Sequence, residues 1–172
     1  MTTSGSADSA VPARPTAGID PRGPRFSAGI TALLLVIVLL LGAGTAAQPP
    51  ATIGERAAEP AFILFAVITA LFAWGAFAGV ARHPYGFLYR RLLRPFLSAP
   101  TELEDPKPPT FAQAVGLFVT VIGVILALIG VPYGLVICAA AAFVAAFLNS
   151  VFGYCLGCQL YLLLVRGGIA LP

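Results

Sequence analysis

Two cysteines near the end of this sequence are the residues whose types and spacing could do chemistry. Cys155 and Cys158 lie three positions apart in the segment Phe152-Gly153-Tyr154-Cys155-Leu156-Gly157-Cys158-Gln159, directly after a long apolar run. If a helix begins near Tyr154, both thiols lie on one side of its first turn. Unpaired N–H groups at a helix N-terminus favour a thiolate, whereas apolar surroundings favour the protonated thiol. The spacing therefore predicts that Cys155 and Cys158 are a candidate catalytic redox pair, which cycles between dithiol and disulfide.

The same cysteines have two other interpretations. Cysteine is also a small apolar residue, and Gly153 and Gly157 surround Cys155 in a small-xxx-small pattern that lets helices approach closely. A structural zinc ion takes four ligands, and beyond the pair the sequence offers only Cys138 and His83. We therefore expect no metal site and no bound cofactor. We interpret Cys138 as a core residue and His83 as a polar residue beside a span.

The composition indicates a membrane protein. The 172 residues are 59% hydrophobic and only 10% charged, whereas soluble domains carry about 25% charged residues. No Lys/Arg patch interleaved with aromatic residues marks a nucleic-acid interface, so we expect no nucleic-acid partner. No charged residue and no histidine falls within a long apolar run, which argues against a proton or ion pump. We predict an all-α, polytopic membrane helix bundle that has the lipid bilayer as its partner.

Apolar runs of roughly 20 residues, the length that crosses a bilayer, predict about four transmembrane helices. The last apolar segment extends from Val131 to Val165. A helix of that length would measure about 50 Å, well beyond a hydrocarbon core of ~30 Å. We expect it to break between Asn149 and Gly153. The predicted organisation is a disordered tail at 1–19, a membrane domain at 20–166 with spans at about 26–46, 60–80, 111–129 and 132–150, an interfacial helix at 84–96, a short helix at 154–165, and a tail at 167–172.

The long loop between the second and third spans is the most basic part of the chain. The apolar face of its segment 84–96 consists of Tyr85, Leu88, Leu92 and Phe96. Arg90 and Arg94 share another face, and an amphipathic helix of this kind lies on anionic headgroups. Because basic residues collect on the cytoplasmic side of a membrane, we expect a multi-pass protein of the inner (plasma) membrane with both termini cytoplasmic. The first span has a cleaved signal peptide as its alternative, but its long leader favours a retained helix.

Three motifs of this chain resemble those of a known family. They are Asp20-Pro21-Arg22-Gly23-Pro24-Arg25-Phe26, Glu102-Leu103-Glu104-Asp105-Pro106 with Phe111-Ala112-Gln113, and Phe152-Gly153-Tyr154-Cys155-Leu156-Gly157-Cys158. In combination they resemble an uncharacterised family of small bacterial four-helix membrane proteins, classed as a domain of unknown function. The resemblance covers roughly Asp20 to Val165 and implies a helical membrane domain with a C-terminal Cys-x-Gly-Cys motif. It also implies an association with thioredoxin-like proteins and sulfurtransferases, although the family has no established activity.

Three hypotheses of function follow from these observations. The first is a membrane dithiol protein that takes part in thiol–disulfide or sulfur transfer with a thioredoxin-like or rhodanese-like partner. The second is a structural or assembly subunit whose cysteines and glycines pack helices and do no chemistry. The third is a small-molecule permease that acts as an oligomer. The cysteine spacing favours the first hypothesis, and the sequence leaves open whether the protein is an enzyme.

Overall fold

The computed structural model describes residues 18–169, and helices dominate this part of the chain. They are α1 (Arg22–Gly42), α2 (Ile53–Ala58), α3 (Pro60–Ala78), α4 (Pro84–Leu92), α5 (Lys107–Leu128), α6 (Gly134–Phe152) and α7 (Leu156–Arg166). Apart from one bridge between Ile19 and Glu104, residues 18–169 contain no β-structure. The predicted all-α class is confirmed. The predicted tails fall largely at residues 1–17 and 170–172, which lie outside the described residues.

Four helices, α1, α3, α5 and α6, are long and apolar enough to cross a membrane. Their outward faces carry large apolar side chains, among them Leu40 (73% exposed), Phe77 (86%) and Phe118 (68%). An exposed apolar surface of this extent calls for a bilayer around it, because soluble proteins expose only small apolar patches. The chain is therefore a membrane helix bundle with four spans and a short C-terminal helix, as the sequence predicts.

The four spans form a ring in which each helix packs against two neighbours. α1 contacts α3 and α6, and α5 contacts the same two helices. α1 and α6 run antiparallel, because Gly29 near the start of α1 lies against Ser150, whereas Gly42 at its end lies against Val136. The bundle thus has two ends. We call the end that carries residues 153–159 the cysteine end, and the opposite end, which carries α2, the α2 end.

The packed core occupies the half of the ring nearer the α2 end. Its buried residues are Leu35, Val38, Phe65, Ile68, Cys138, Ala139 and Ala142. Gly123 allows α5 to approach α3 and α6 here, because a methyl group added to it would lie 2.7 Å from Cys138 Cβ and from the Phe65 ring. Cys138 is a buried free thiol in this core. Close packing of small residues is how membrane helices associate, since lipid provides no hydrophobic drive between them.

Arg56 ties the α2 end together. Its side chain donates hydrogen bonds of 2.6–2.9 Å to three backbone carbonyls, those of Pro50, Ala51 and Leu128. The Leu128 carbonyl is one of the unpaired acceptors at the end of α5. The positive charge of Arg56 is also favourable there, because the C-terminal end of a helix dipole is negative. α2 lies beside it and begins with a capping box between Thr52 and Glu55. This short helix is absent from the predicted organisation.

α5 begins earlier than predicted, at Lys107 rather than at 111. The Asp105 side chain accepts the Lys107 N–H at 2.9 Å and so starts the first turn. Thr110 lies inside that turn, where its hydroxyl donates to the Pro106 carbonyl at 2.7 Å. The other spans lie at 22–42, 60–78 and 134–152, within a few residues of their predicted positions.

α4 is shorter than the predicted interfacial helix, and it packs on the bundle through a single buried side chain. It ends at Leu92, because Pro95 lacks an N–H and disfavours helical backbone at Arg94, and a short 3₁₀ turn follows at Arg94–Phe96. The side chain that α4 buries is Tyr89, which is 3% exposed, whereas Leu92 from the expected apolar face is 52% exposed. α4 thus packs on the bundle through Tyr89, and Leu92 on the face predicted to lie on headgroups stays exposed.

Candidate functional site

The Cys155–Cys158 pair lies where α6 stops and α7 begins. α6 ends at Gly153, which adopts φ +68°, and the Gly153 and Tyr154 N–H groups reach back to the Asn149 and Leu148 carbonyls, each at 3.1 Å. A glycine suits this position because the left-handed conformation is costly for residues with a Cβ. The chain then extends through Tyr154 to Cys155, the N-cap of α7. The break in the long apolar segment thus places the pair at a helix N-terminus.

The two cysteines are joined by a disulfide. Their Cα atoms are 5.2 Å apart, inside the range of about 4.4–6.8 Å that a disulfide can span. The Cys155 sulfur also caps α7, because it accepts the Cys158 N–H at 3.3 Å. Both cysteines are half-buried. The disulfide thus closes the first turn of α7 and lies partly open to the surroundings.

Gly157 brings the first turn of α7 onto α5. A methyl group added to Gly157 would lie 2.6 Å from both Cα and Cβ of Ala112, so only glycine fits this contact. One turn further along, the rings of Tyr161 and Phe111 pack with their centroids 5.6 Å apart. α7 is thus held by α5 rather than by α6, the helix that precedes it.

A cavity of about 950 Å³ opens beside the pair at the cysteine end. Cys155 and Cys158 both line it. Its inner wall is formed by Thr31, Ile68, Val119 and Ala142, which lie near the middle of α1, α3, α5 and α6 respectively. The ring of spans is therefore packed toward the α2 end and hollow toward the cysteine end, with the disulfide on the wall of the hollow half.

Asp20 and Tyr89 form a hydrogen-bonded cluster at the rim of this cavity. Asp20 accepts the Arg22 N–H and the Tyr89 hydroxyl, each at 3.0 Å, and pairs with the Arg22 side chain at 3.3 Å. Burial, and then the hydrogen bond to the Asp20 carboxylate, raise the pKa of Tyr89. The Tyr89 ring covers Gly23, where an added methyl group would lie 3.5 Å from it. The motif at residues 20–26 is thus packed around Tyr89, the one side chain that α4 buries.

The other two motifs meet this one at the same rim. Ile19 and Glu104 pair through two backbone hydrogen bonds of 2.9 and 3.0 Å, which joins the segment before α1 to the acidic segment 102–106. Arg25 donates to the Val151 carbonyl at 3.4 Å and lies against Gly153, which joins α1 to the cysteine segment. All three segments that carry the family resemblance therefore converge around the cavity.

A family model with the description "Domain of unknown function (DUF4395)" matches residues 19–166. The chain belongs to this family. The match confirms the predicted family. Together with the four apolar helices, it shows that this DUF4395 protein is a membrane protein whose domain has no assigned function. It does not establish that Cys-x-Gly-Cys is a family motif; in this chain the pair is a Cys-x-x-Cys with Leu156 and Gly157 between the cysteines. Neither a curated protein nor a solved structure matches the chain.

His83 has a structural position in this DUF4395 protein. It is 5% exposed, its Nδ1 accepts the Tyr85 N–H at 3.2 Å, and its Nε2 lies 3.1 Å from the Leu71 carbonyl, to which it donates. Burial lowers the pKa of His83, which keeps the ring in the neutral form that these two bonds require. Within residues 18–169 no group of three or more His, Cys, Asp or Glu side chains could hold a metal ion.

Three amide side chains line the cavity without a hydrogen-bond partner in the described part of the chain. They are Gln113 on α5, Asn149 on α6 and Gln159 on α7. The sequence reasoning placed Asn149 at the helix break but did not anticipate the cavity or the role of Gln113. The available signal was a stripe of small residues on one face of α6 that ends at Asn149, namely Ala141, Ala142, Ala145 and Ala146. Such a stripe predicts a close helix contact or an open space, and here it borders the open space.

Proposed function

We propose that this protein is a membrane dithiol protein whose Cys155–Cys158 pair exchanges electrons or sulfur with a thioredoxin-like or rhodanese-like partner. The observation that carries the proposal is the position of the pair. It spans the first turn of α7, is half-buried at the mouth of a cavity, and has its Cα atoms at disulfide distance. A disulfide that stabilises a fold by cross-linking distant segments joins cysteines far apart in the sequence. The Cys155–Cys158 disulfide joins two residues of a single helical turn.

The N-terminus of α7 supports a reactive Cys155. In the dithiol state the Cys158 N–H that now points at the Cys155 sulfur would stabilise a thiolate there, and the positive end of the α7 dipole would add to this. Cys158 lies one turn deeper, where the dipole is weaker. These positions suit Cys155 as the thiol that reacts with a partner and Cys158 as the thiol that resolves the complex.

A structural role is the second candidate, and one contact favours it. Gly157 packs on Ala112 more closely than any other residue type allows, so the cysteine segment also attaches α7 to α5. In this reading the protein is an assembly subunit and the cysteines are small packing residues. The two candidates make different predictions for the cysteines, because packing does not require them to change oxidation state.

We predict that Cys155 and Cys158 change oxidation state together in membranes. The test uses a Cys138→Ala background, so that a maleimide mass tag reports only the pair. Tagging should add two labels per chain after mild reduction and none after mild oxidation. A chain that carries only Cys138 is the control and should stay unlabelled before solubilisation, because that thiol is buried in the core. A pair that stays unlabelled under reduction, or labelled under oxidation, contradicts the dithiol proposal.

The distribution of charge supports a cytoplasmic cysteine end. Basic residues collect there: Arg22, Arg25, Arg82, Arg90, Arg91, Arg94, Lys107 and Arg166. Among the described residues the α2 end has only Arg56, beside Glu55 and Glu59. Basic residues are retained on the cytoplasmic side, so we place both chain termini, α4 and the cysteine pair in the cytoplasm of a cell with this protein in its plasma membrane. The proposed partner is then a cytosolic protein.

We predict that single cysteines at the two ends label from opposite sides. In a chain without its native cysteines, Gly54→Cys should react with an impermeant maleimide added to intact cells. Glu102→Cys should react only in inside-out vesicles. Both positions are exposed, and an added methyl group at Gly54 meets nothing within 4 Å. Labelling of Glu102→Cys from outside would reverse the proposed orientation.

A further inference from the structure

The inner half of the cavity at the cysteine end suits an apolar occupant. Its walls there are Ile68, Leu71, Phe72, Val119 and Ala142. The hydroxyl of Thr31 also lines it but already donates to the Ser27 carbonyl at 3.0 Å. A buried water needs about two to four polar partners, and apolar cavities stay dry. The inner half therefore favours a hydrocarbon group over water or a polar metabolite.

The outer half of the same cavity is polar and reactive. Gln113 and Asn149 line it, and each has amide N–H groups that no other described residue accepts. Cys155 and Cys158 lie on the same wall. A ligand that fills both halves must combine an apolar tail with a head that accepts hydrogen bonds. The head would then lie beside the cysteine pair.

We propose that this cavity binds a lipid-soluble quinone, with its tail toward the middle of the bilayer and its ring beside the Cys155–Cys158 pair, and that the bound quinone reoxidises the dithiol. Quinone binding stands on the cavity alone, whereas the redox step rests on the proposed dithiol function. In that step the S–S bond forms as both S–H bonds break. Two electrons and two protons pass to the two quinone oxygens, and the quinone leaves as a hydroquinone.

The observations favour a quinone over a phospholipid. The cavity volume lies within the range of about 300–1,000 Å³ of sites for cofactor-sized ligands. A quinone head is uncharged and carries two carbonyl acceptors, to which the amides of Gln113 and Asn149 can donate. A phospholipid would bring a phosphate to a rim of mixed charge, where the carboxylates oppose it as much as the arginines attract it. The charged residues that line the cavity are Asp20, Glu104, Asp105, Arg25, Arg90 and Arg94.

The test measures binding of decylubiquinone to the full-length protein in lipid nanodiscs, with reoxidation of the reduced pair as a second readout. Ala145 lines the cavity, so Ala145→Phe places a ring inside it. Val144, its neighbour on α6, is 50% exposed and does not line the cavity, so Val144→Phe is the matched control. Ala145→Phe should weaken binding about tenfold or more, because its ring takes up space that the ligand needs; tenfold corresponds to about 1.4 kcal/mol. Val144→Phe should bind like the wild type.

A third variant and the oxidised wild type separate the site from the chemistry. Asn149→Leu keeps the size of the side chain but removes the amide, and should also weaken binding. Binding of decylubiquinone to the wild type with its pair held as a disulfide tests the site alone, because no dithiol is then available for the redox step, and saturable binding there supports the site even if the cysteines prove inert in the dithiol test. In each variant, protection of the α7 amide hydrogens from exchange reports that the cysteine end is folded. Absent or non-saturable binding to the wild type, or unchanged binding by Ala145→Phe, overturns the proposal. A bound phospholipid that decylubiquinone does not displace also overturns it.

Discussion

Cys158→Ser protein in membranes should accumulate mixed disulfides with its partner on Cys155, and Cys155→Ser protein should accumulate few. Thiol–disulfide exchange is reversible, so a mixed disulfide between Cys155 and one partner sulfur is the intermediate whether the partner reduces the pair or is reduced by it. In the Cys158→Ser protein it forms when the Cys155 thiolate attacks one sulfur of an oxidised partner, and the other partner sulfur leaves as a thiolate. In the native chain Cys158 then displaces the partner and closes the S–S bond. Without Cys158 the covalent complex persists. Because thiolate character is greatest at the N-cap of α7 and falls off within a turn, the two single variants should differ severalfold in trapped complex.

Several comparisons make this trapping result decisive. Both variants are prepared with Cys138→Ala, so that no third thiol contributes, and each is compared at equal amounts of protein in the membrane. The double variant Cys155→Ser/Cys158→Ser sets the background. Equal trapping by both single variants would refute the assignment of roles. Trapping by neither, in folded protein at the membrane, would leave the structural candidate as the better account.

The elements that depend on local pattern could be predicted from the sequence. The spans follow from runs of apolar residues whose length matches a bilayer, which tertiary packing does not change. The end of α6 was predictable because the segment from Val131 to Val165 is too long to cross the bilayer as one helix. Gly153 marks the end, since a helix often stops at a glycine in the left-handed conformation. The cysteine pair was visible for the same reason, since its spacing is local.

Helix starts were less predictable where two capping signals compete. Thr110 and Gln113 have the spacing of a capping box, which placed the start of α5 near 111. The structure instead starts α5 with the Asp105 side chain, and Thr110, five residues later, already lies within the helix. The opposite error occurs at α2, where Thr52 and Glu55 form a capping box in a segment treated as a loop. Six residues of helix carry too little periodicity to be recognised from hydrophobic pattern.

The cavity could not have been predicted, because it depends on contacts between distant segments. Nothing in the spacing of Asp20, Tyr89 and Glu104 shows that the first is bonded to the second, or that the third pairs with Ile19. The family resemblance singled out these three segments but did not explain what they have in common. The structure shows that they meet at one rim and enclose the hollow half of the bundle beside the disulfide.

The cysteine segment has two separable properties, and different residues carry them. The proposed reactivity belongs to Cys155 and Cys158, which line the cavity at the start of α7. Attachment of α7 belongs to Gly157, which lies against the backbone of Ala112. If the structural candidate were correct, the cysteines would contribute to packing about as much as the glycine does. Substitutions at the two kinds of position therefore distinguish the candidates independently of any partner.

Gly157→Ala should destabilise the protein far more than the loss of both cysteines does. The added methyl group would lie 2.6 Å from Cα and Cβ of Ala112, and since one of these is a backbone atom the helices must move apart. Overpacking of this kind costs roughly 1–3 kcal/mol. The free energy of unfolding in detergent micelles should fall by about this amount, and the amide hydrogens of α7 should exchange faster.

Two comparisons complete the test of Gly157. Gly44→Ala is the matched control, because an added methyl group there meets nothing within 4 Å and the position lies at the opposite end of the bundle. It should leave the free energy of unfolding within about 0.5 kcal/mol of the native value, as most surface substitutions do. Cys155→Ala/Cys158→Ala, measured against the reduced native chain, should behave similarly, since both cysteines are half-exposed. A double variant as unstable as Gly157→Ala would show that the cysteines serve mainly to pack α7, and the dithiol proposal would lose its structural support.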